Sequence, residues 1–202
     1  MNRRGLAVGC VGLALLSLAG CALGRSPIAT TWVLDPVATR VAPGDAPADA
    51  GVLSVERVRV PDWLDRSQLV VRGRDGRVEL DERARWGEPL GRGLQRVMAE
   101  NLASLMTSRR VVAAPASPRT SVALQLSLDF VEAARQSDGE LRVEVRWELQ
   151  AGTDGRALRR GLSTQQIKVS KPGPAGTVAA LNEALLNLAT ELTEIIRSVS
   201  AH

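Results

Sequence analysis

A cysteine follows three small or apolar residues near the start of the 202-residue chain, in the run Leu18-Ala19-Gly20-Cys21. The thiolate form of a cysteine is a strong nucleophile and can take up an alkyl group as a thioether. Small residues on the cleaved side let a peptidase grip the backbone, as they do where signal peptides are removed. Cys21 is therefore a candidate for modification at a point where the chain can be cleaved.

The residues before Cys21 have the order of a secretory signal peptide. Met1 to Arg4 are short and positive, and Gly5 to Leu18 form an apolar stretch of 14 residues, whereas a membrane-spanning helix needs about 20. The run Leu18-Ala19-Gly20-Cys21 resembles the bacterial lipobox, in which the cysteine receives a diacylglycerol and becomes the first residue. The resemblance implies that Cys21 is a lipidation site. We expect residues 1–20 to be a lipoprotein signal peptide, residues 21–30 a lipidated tether and residues 31–202 one folded domain. The alternative is an ordinary signal peptide that ends near a cysteine.

The residue after the cysteine bears on the destination of the protein. Ala22 stands where an aspartate would resemble an inner-membrane retention signal. We therefore expect a lipid-anchored protein on the periplasmic face of the outer membrane. Cys10 would leave with the signal peptide, so the mature chain would have no disulfide and would depend on its hydrophobic core for stability.

The composition excludes several kinds of chemistry. The only histidine is His202, the last residue, and the chain has no tyrosine. A Ser-His-Asp triad, a Cys-His pair or a histidine-ligated metal site therefore has nothing to be built from. The carboxylates of Asp62 and Asp65 could act as a general acid and base, but nothing distinguishes them from surface charges. We expect no enzymatic activity, no metal and no cofactor.

The charge is modest once the leader is removed. The formal net charge is +4, and loss of Arg3 and Arg4 lowers it to +2. Acidic and basic residues are interleaved along the rest of the chain, which is typical of a solvated surface. Together with export, this argues against a nucleic-acid partner.

The elements that must position any site can be read from the hydrophobic patterns. Alternation of apolar and polar residues is clearest from Val122 to Phe130 and from Leu141 to Leu149, and predicts strands with one buried face. Helical spacing predicts a helix over residues 88–107 and a last helix that begins near Thr177. Shorter strands are predicted at residues 31–34, 52–60, 68–72, 77–81 and 157–170. The fold class predicted is α+β, with a mainly antiparallel sheet and two helices packed on one face; a short coiled-coil seam is the alternative for the last helix.

Two stretches of sequence, residues 60–72 and 85–90, are unusually rich in tryptophan and arginine. These residue types are enriched at the energetic centres of protein–protein interfaces. The residues that we predict to bind a partner are Trp63, Arg66, Arg72, Arg85 and Trp86. In the alternative reading the two tryptophans pack inside the domain, and the arginines pair with Asp62, Asp65 or Glu88.

The same stretches resemble the ABC-type transport auxiliary lipoprotein family, whose best-known members are the PqiC lipoproteins of the paraquat-inducible system. The likeness covers about residues 31–199. The matching residues are Pro61, Leu64, Asp65, Arg66, Gln68, Val70, Arg72, Arg85, Trp86, Glu88, Pro89, Leu90, Glu100, Asn101 and Leu102. The chain departs from the family at Trp63, where tyrosine is usual, at Ser67, where proline is usual, and at Gly87, where alanine is usual.

The resemblance implies a non-catalytic subunit of an MCE-type system that moves lipids between the inner and outer membranes. The expected partners are an MCE-domain protein and inner-membrane transporter components, and the protein could form a ring of identical subunits. A periplasmic carrier that holds an acyl chain between sheet and helices is the alternative function. The apolar face of the last helix motivates that alternative.

Overall fold

The computed structural model describes residues 28–37, 51–117 and 119–200. In these ranges the chain forms eight strands and two helices. The strands are β1 (Thr30–Trp32), β2 (Val52–Val55), β3 (Gln68–Arg72), β4 (Val78–Trp86), β5 (Arg110–Ala113), β6 (Val122–Gln136), β7 (Glu140–Ala151) and β8 (Ala157–Lys168). The helices are α1 (Leu90–Leu105) and α2 (Pro174–Ser200).

Strand β6 organises the sheet because it is paired along both edges. One edge carries β7, which is followed by β8, and both pairings are antiparallel. The other edge is shared by β2, which pairs near the start of β6, and β3, which pairs near its end. Strand β5 extends the sheet beyond β2, and β4 and β1 extend it beyond β3. The chain from β2 to β3 therefore follows one edge of β6 in a single direction.

The prediction of a mainly antiparallel sheet is wrong. The sheet is mixed, and four of its seven strand pairings in the described residues are parallel: β1 with β4, β2 with β5, β2 with β6, and β3 with β6. The alternation in the sequence shows which side chains are buried, but not the direction of the neighbouring strand. Parallel neighbours are joined by long connections, and the short strands here carry no signal of such a connection.

Turn signals identify the hairpins correctly. Gly76 has φ of 81° and Gly139 has φ of 88°, a left-handed conformation that glycine adopts without steric cost. Gly76 joins β3 to β4, and Gly139 joins β6 to β7. In each turn the preceding aspartate accepts a hydrogen bond from a backbone amide two residues further on, which fixes the turn.

The core lies between the sheet and the two helices. Helix α1 contacts β2, β5 and α2, and α2 contacts β7, β8 and α1. The apolar residues of α2 predicted from their spacing include Leu181, Leu185, Leu188 and Leu192, all of which are buried. Helix α2 is therefore packed on the domain. This agrees with the prediction of a helix packed on the sheet and not with the alternative of a coiled-coil seam.

Several element boundaries differ from the prediction. Strand β2 ends at Val55 rather than at residue 60, and β6 continues past Phe130 to Gln136. Helix α2 begins at Pro174 rather than near Thr177, because proline fits the first turn of a helix; the Thr177 hydroxyl donates to the Gly173 carbonyl instead. Strand β4 continues to Trp86, five residues beyond Asp81, where the predicted strand ended. Strand β5 was not predicted, since its four residues follow a helix end and are too short for a pattern.

Candidate functional site

The fold brings the two tryptophan- and arginine-rich stretches together in one cleft of about 440 Å³. We call it the corner cleft. It is lined by Asp65, Arg66, Ser67, Trp86, Gly87, Glu88 and Pro89. Each stretch contributes to the lining, but of the five residues predicted to bind a partner only Arg66 and Trp86 line this cleft. Trp63, Arg72 and Arg85 lie outside its lining.

A tight turn between β2 and β3 supplies one wall of the corner cleft. The amides of Leu64 and Asp65 donate to the Pro61 carbonyl at 2.9 and 3.0 Å, and the Arg66 amide donates to the Leu64 carbonyl at 2.8 Å. Leu64 is buried and anchors the turn in the core. The neighbouring Asp65 and Arg66 side chains are exposed, so the turn presents opposite charges to solvent.

The end of β4 supplies the other wall. The Trp86 amide donates to the Ser67 carbonyl at 2.7 Å, and the Gly87 amide donates to the Trp32 carbonyl at 2.7 Å. A β-carbon at Gly87 would lie 2.9 Å from Val33 Cγ1, which is too close for ordinary packing. Glycine at this position therefore allows β1 to lie directly against the cleft.

The side chains in the cleft have distinct surroundings. Trp86 is half-buried against the core. The Arg66 guanidinium makes no ion pair or side-chain hydrogen bond with another residue of the described ranges. An exposed cation beside a partly buried indole is the combination found at interface centres.

Two of the predicted residues, Trp63 and Arg72, contact each other. The guanidinium carbon of Arg72 lies 5.2 Å from the centroid of the Trp63 ring, within cation–π range. Arg72 Nη1 also lies 3.2 Å from Glu132 Oε1, and Glu132 is only 7% exposed. Arg72 thus fastens the turn before β3 to the middle of the sheet.

The remaining predicted residue, Arg85, is exposed on β4. Its Nη2 lies 3.9 Å from Glu82 Oε2, a weak surface contact. The alternative reading, in which Arg66, Arg72 and Arg85 pair with Asp62, Asp65 or Glu88, is not found among the described residues. Arg72 pairs with Glu132 and Arg85 with Glu82.

Glu88, at the floor of the corner cleft, is engaged by a residue that sequence reasoning missed. Arg96 Nη2 donates to Glu88 Oε1 at 2.6 Å and to the Leu34 carbonyl at 2.7 Å. The hydrogen bond to Glu88 is the main cause that raises the pKa of Arg96, although burial opposes it. Glu88 and Arg96 are eight positions apart, a spacing that the sequence does not mark as a pair.

A second cleft of about 640 Å³ adjoins the first and shares Asp65 and Pro89 with it. Its rim carries Arg57, Arg59 and Arg92. We call it the arginine groove. Arg57 and Arg92 are exposed and make no ion pair within the described ranges. Single arginines in a mixed-charge sequence gave no signal, so this groove was not predicted.

The described residues contain no group of three or more His, Cys, Asp or Glu side chains placed to hold a metal ion. No helix among them combines the length and the apolar character needed to cross a bilayer. The predicted lipidation site Cys21 and the leader lie outside the described residues.

The described residues form a mixed sheet packed against two helices, with the corner cleft between the turn before β3 and the end of β4. The chain belongs to the family of ABC-type transport auxiliary lipoprotein components, whose family model matches residues 32–193. This confirms the resemblance found in the sequence. The family is one of auxiliary transport components, and nothing in the described residues indicates an enzymatic activity.

Solved structures share the fold. A crystal structure of an uncharacterized protein is 19% identical, with a TM-score of 0.70 over 84% of this chain and 99% of the other. A protein from Xanthomonas campestris is 18% identical, with a TM-score of 0.63 over 87% of this chain and 94% of the other. No curated protein matches the chain at a significant level.

Proposed function

We propose that the protein is the outer-membrane docking subunit of an MCE-type, ABC-linked system that transports lipids between the membranes and supports envelope integrity. In this role a lipid on Cys21 holds the domain at the periplasmic face of the outer membrane. The corner cleft binds the MCE-domain protein, or a component joined to it, and identical subunits assemble as a ring. The observation that carries the proposal is the meeting of both family-like stretches in one exposed cleft.

Charge and burial support this use of the cleft. Arg66 is exposed and lacks an internal partner, while Trp86 offers part of an indole beside it. Arg57 and Arg92 are two further exposed cations along the adjoining groove. A partner segment with an acidic residue and an apolar anchor would fit both features.

The lipid-carrier alternative has less support. It required space for an acyl chain at the apolar face of α2. Leu185 and Leu188 on that face are fully buried by the domain's own side chains. A ligand would therefore have to displace packed core residues, which makes docking the better supported role.

The test is an affinity pull-down from detergent-solubilised envelopes. We expect wild type to capture an MCE-domain protein, Cys21→Ala to leave the membrane fraction, and Arg66→Glu to remain in the membrane but lose the MCE-domain protein. Lys171→Glu, which reverses an exposed charge on the loop before α2, is the matched control and should retain capture. Failure of wild type to recover any transporter component would reject the proposed role.

A further inference from the structure

Two opposite edges of the sheet have no strand partner among the described residues. Residues 78–83 of β4 lie beyond the three residues that pair with β1, and β8 pairs only with β7 in the described part of the chain. An exposed strand edge carries free amides and carbonyls that can pair with another chain. The two edges are therefore places where the sheet can be extended.

The directions of the strands suit such an extension. Strand β3 is parallel to β6, and β4 is antiparallel to β3. Strand β8 is antiparallel to β7, and β7 is antiparallel to β6. Strands β4 and β8 consequently run in opposite directions. When one copy is placed beside another in the same orientation, β8 of the first meets β4 of the second as an antiparallel pair.

The two edges carry opposite charges. The β4 edge, residues 78–83, has three acids, Glu79, Asp81 and Glu82, and one base, Arg83. The β8 strand has Arg159, Arg160 and Lys168 and no acid between residues 157 and 168. Two β4 edges would repel each other, and so would two β8 edges, whereas a β4 edge attracts a β8 edge. The charges therefore favour a head-to-tail contact between copies over a two-fold contact.

Apolar side chains match on one face of the sheet. Cross-strand partners share a face, so the pairing of Leu80 with Val70 and of Leu162 with Arg146 can be followed across the sheet. Both leucines lie on the face away from the helices, where Leu80 is 40% exposed and Leu162 is 57% exposed. Extending the sheet from β8 to β4 would bring this exposed apolar surface of two copies onto one side.

We propose that a second copy of this chain docks by adding its β4 edge, residues 78–83, to the β8 edge, residues 157–168, of its neighbour. A head-to-tail contact of this type uses two different surfaces on each subunit and closes into a ring when the rotation permits. The proposal gives the contact between copies in the ring of the proposed function and rests on that ring. It is tested without any transporter component, so the two can fail separately.

The experiment uses the lipoprotein purified from detergent-solubilised membranes, with oligomeric state measured by native mass spectrometry. The β4 variant is Glu79→Lys/Asp81→Lys and the β8 variant is Arg159→Glu/Arg160→Glu. Each alone places like charges across the contact, and we expect the dissociation midpoint to rise about tenfold or more in concentration. Glu183→Lys/Glu194→Lys on α2 makes the same charge change as the β4 variant and should assemble as wild type does.

Co-expression of the two edge variants with different affinity tags is the decisive arm. Each then offers the complement of the other at both edges, so we expect assemblies with alternating subunits to return. Restoration also shows that both variants are folded. A monomeric wild type, edge variants that assemble normally, or a mixture that stays dissociated would each overturn the proposal. Leu80→Lys and Leu162→Lys are a second pair of variants, on the apolar face. Each should weaken assembly, and co-expression of the two should not restore it.

Discussion

The guanidinium of Arg72 lies 5.2 Å from the ring centroid of Trp63. Trp63 lies in the turn that forms one wall of the corner cleft, and Arg72 is the last residue of β3. Their contact therefore holds the turn against that strand. Because Arg72 also reaches Glu132 on β6, the cleft wall is fixed to the longest strand of the sheet. Arg72 therefore contributes to the cleft by holding its shape rather than by lining it.

Replacing Arg72 with methionine should lower the free energy of unfolding by about 1–3 kcal/mol, since Glu132 would be left buried without its cation. Urea denaturation monitored by tryptophan fluorescence gives the value. Arg74→Met removes an exposed arginine whose contact with Asp138 spans 3.8 Å, and should change stability by less than about 0.5 kcal/mol. Equal effects of the two substitutions would show that the contact to Glu132 is not stabilising.

Gly161 on β8 faces the indole of Trp147, and a β-carbon there would lie 2.5 Å from Cζ2. Gly161→Ala should therefore destabilise the protein by about 1–3 kcal/mol through overpacking. The loss should be smaller in a Trp147→Phe background, because the contacting indole atoms are absent. Thermal and urea unfolding of the single and double variants measure this coupling. Thr164→Ala, on an exposed position of the same strand, is the control; strict additivity would contradict the steric explanation.

Gln95 joins three parts of the fold, because its Nε2 donates to the carbonyls of Val55 and Ala114 at 3.0 Å each. Gln95→Met removes the donor and should cost about 1–2 kcal/mol. Gln95→Glu should cost more near neutral pH, since a carboxylate would face two carbonyl oxygens. Comparing the two variants by urea denaturation tests this order. A glutamate variant as stable as the methionine variant would mean that the side chain has turned away.

Arg96 on α1 holds the segment after β1 in place, because it donates hydrogen bonds to Glu88 and to the Leu34 carbonyl. Arg96→Lys cannot keep both bonds in the same geometry and should cost about 1–2 kcal/mol. The Asp35 amide, which donates to Asn182 Oδ1 at 3.2 Å, should then exchange its hydrogen faster with deuterium. An unchanged exchange rate of the Asp35 amide in the lysine variant would show that the hydrogen bonds of Arg96 do not hold Leu34 and Asp35 in place.

The raised pKa of Arg96 sets the pH range of its own contribution. A cation whose pKa is raised by folding stabilises the folded state fully below its unfolded pKa, and this is lost only as pH rises through the folded value. Both values lie far above neutrality. Deprotonation of Arg96 should therefore not reduce stability between pH 7 and 9, and the difference between wild type and Arg96→Lys should stay constant in that window.

The sequence allowed local features to be predicted better than the arrangement of strands. The alternation from Val122 to Phe130 identified the buried face of β6 correctly. The alternation did not predict that Glu132 is buried beside Arg72. Glu132 follows an irregularity in the pairing of β6 with β7 after Phe130. Such a partner depends on the parallel pairing of β3 with β6, and nothing in either strand specifies that direction.

The candidate site could be predicted in part for a similar reason. Tryptophan and arginine marked the stretches around Arg66 and Trp86, and the structure places them in one cleft. Arg57 and Arg92 were not predicted, because their proximity arises only when α1 packs beside the segment after β2. Residue type therefore identified the stretches, whereas long-range packing determined the extent of the surface.

The parallel pairing of β1 with β4 has a mechanical consequence. If Cys21 is held in a bilayer, tension on the domain enters the described fold at Thr30 and runs along β1. When the tension is directed along β1, the three residue pairs from Thr30 with Ala84 to Trp32 with Trp86 are loaded together in shear rather than opened one after another. The last of these pairs adjoins the corner cleft. Tension on the lipid anchor and the binding of a partner in the cleft would therefore act on the same backbone hydrogen bonds between β1 and β4.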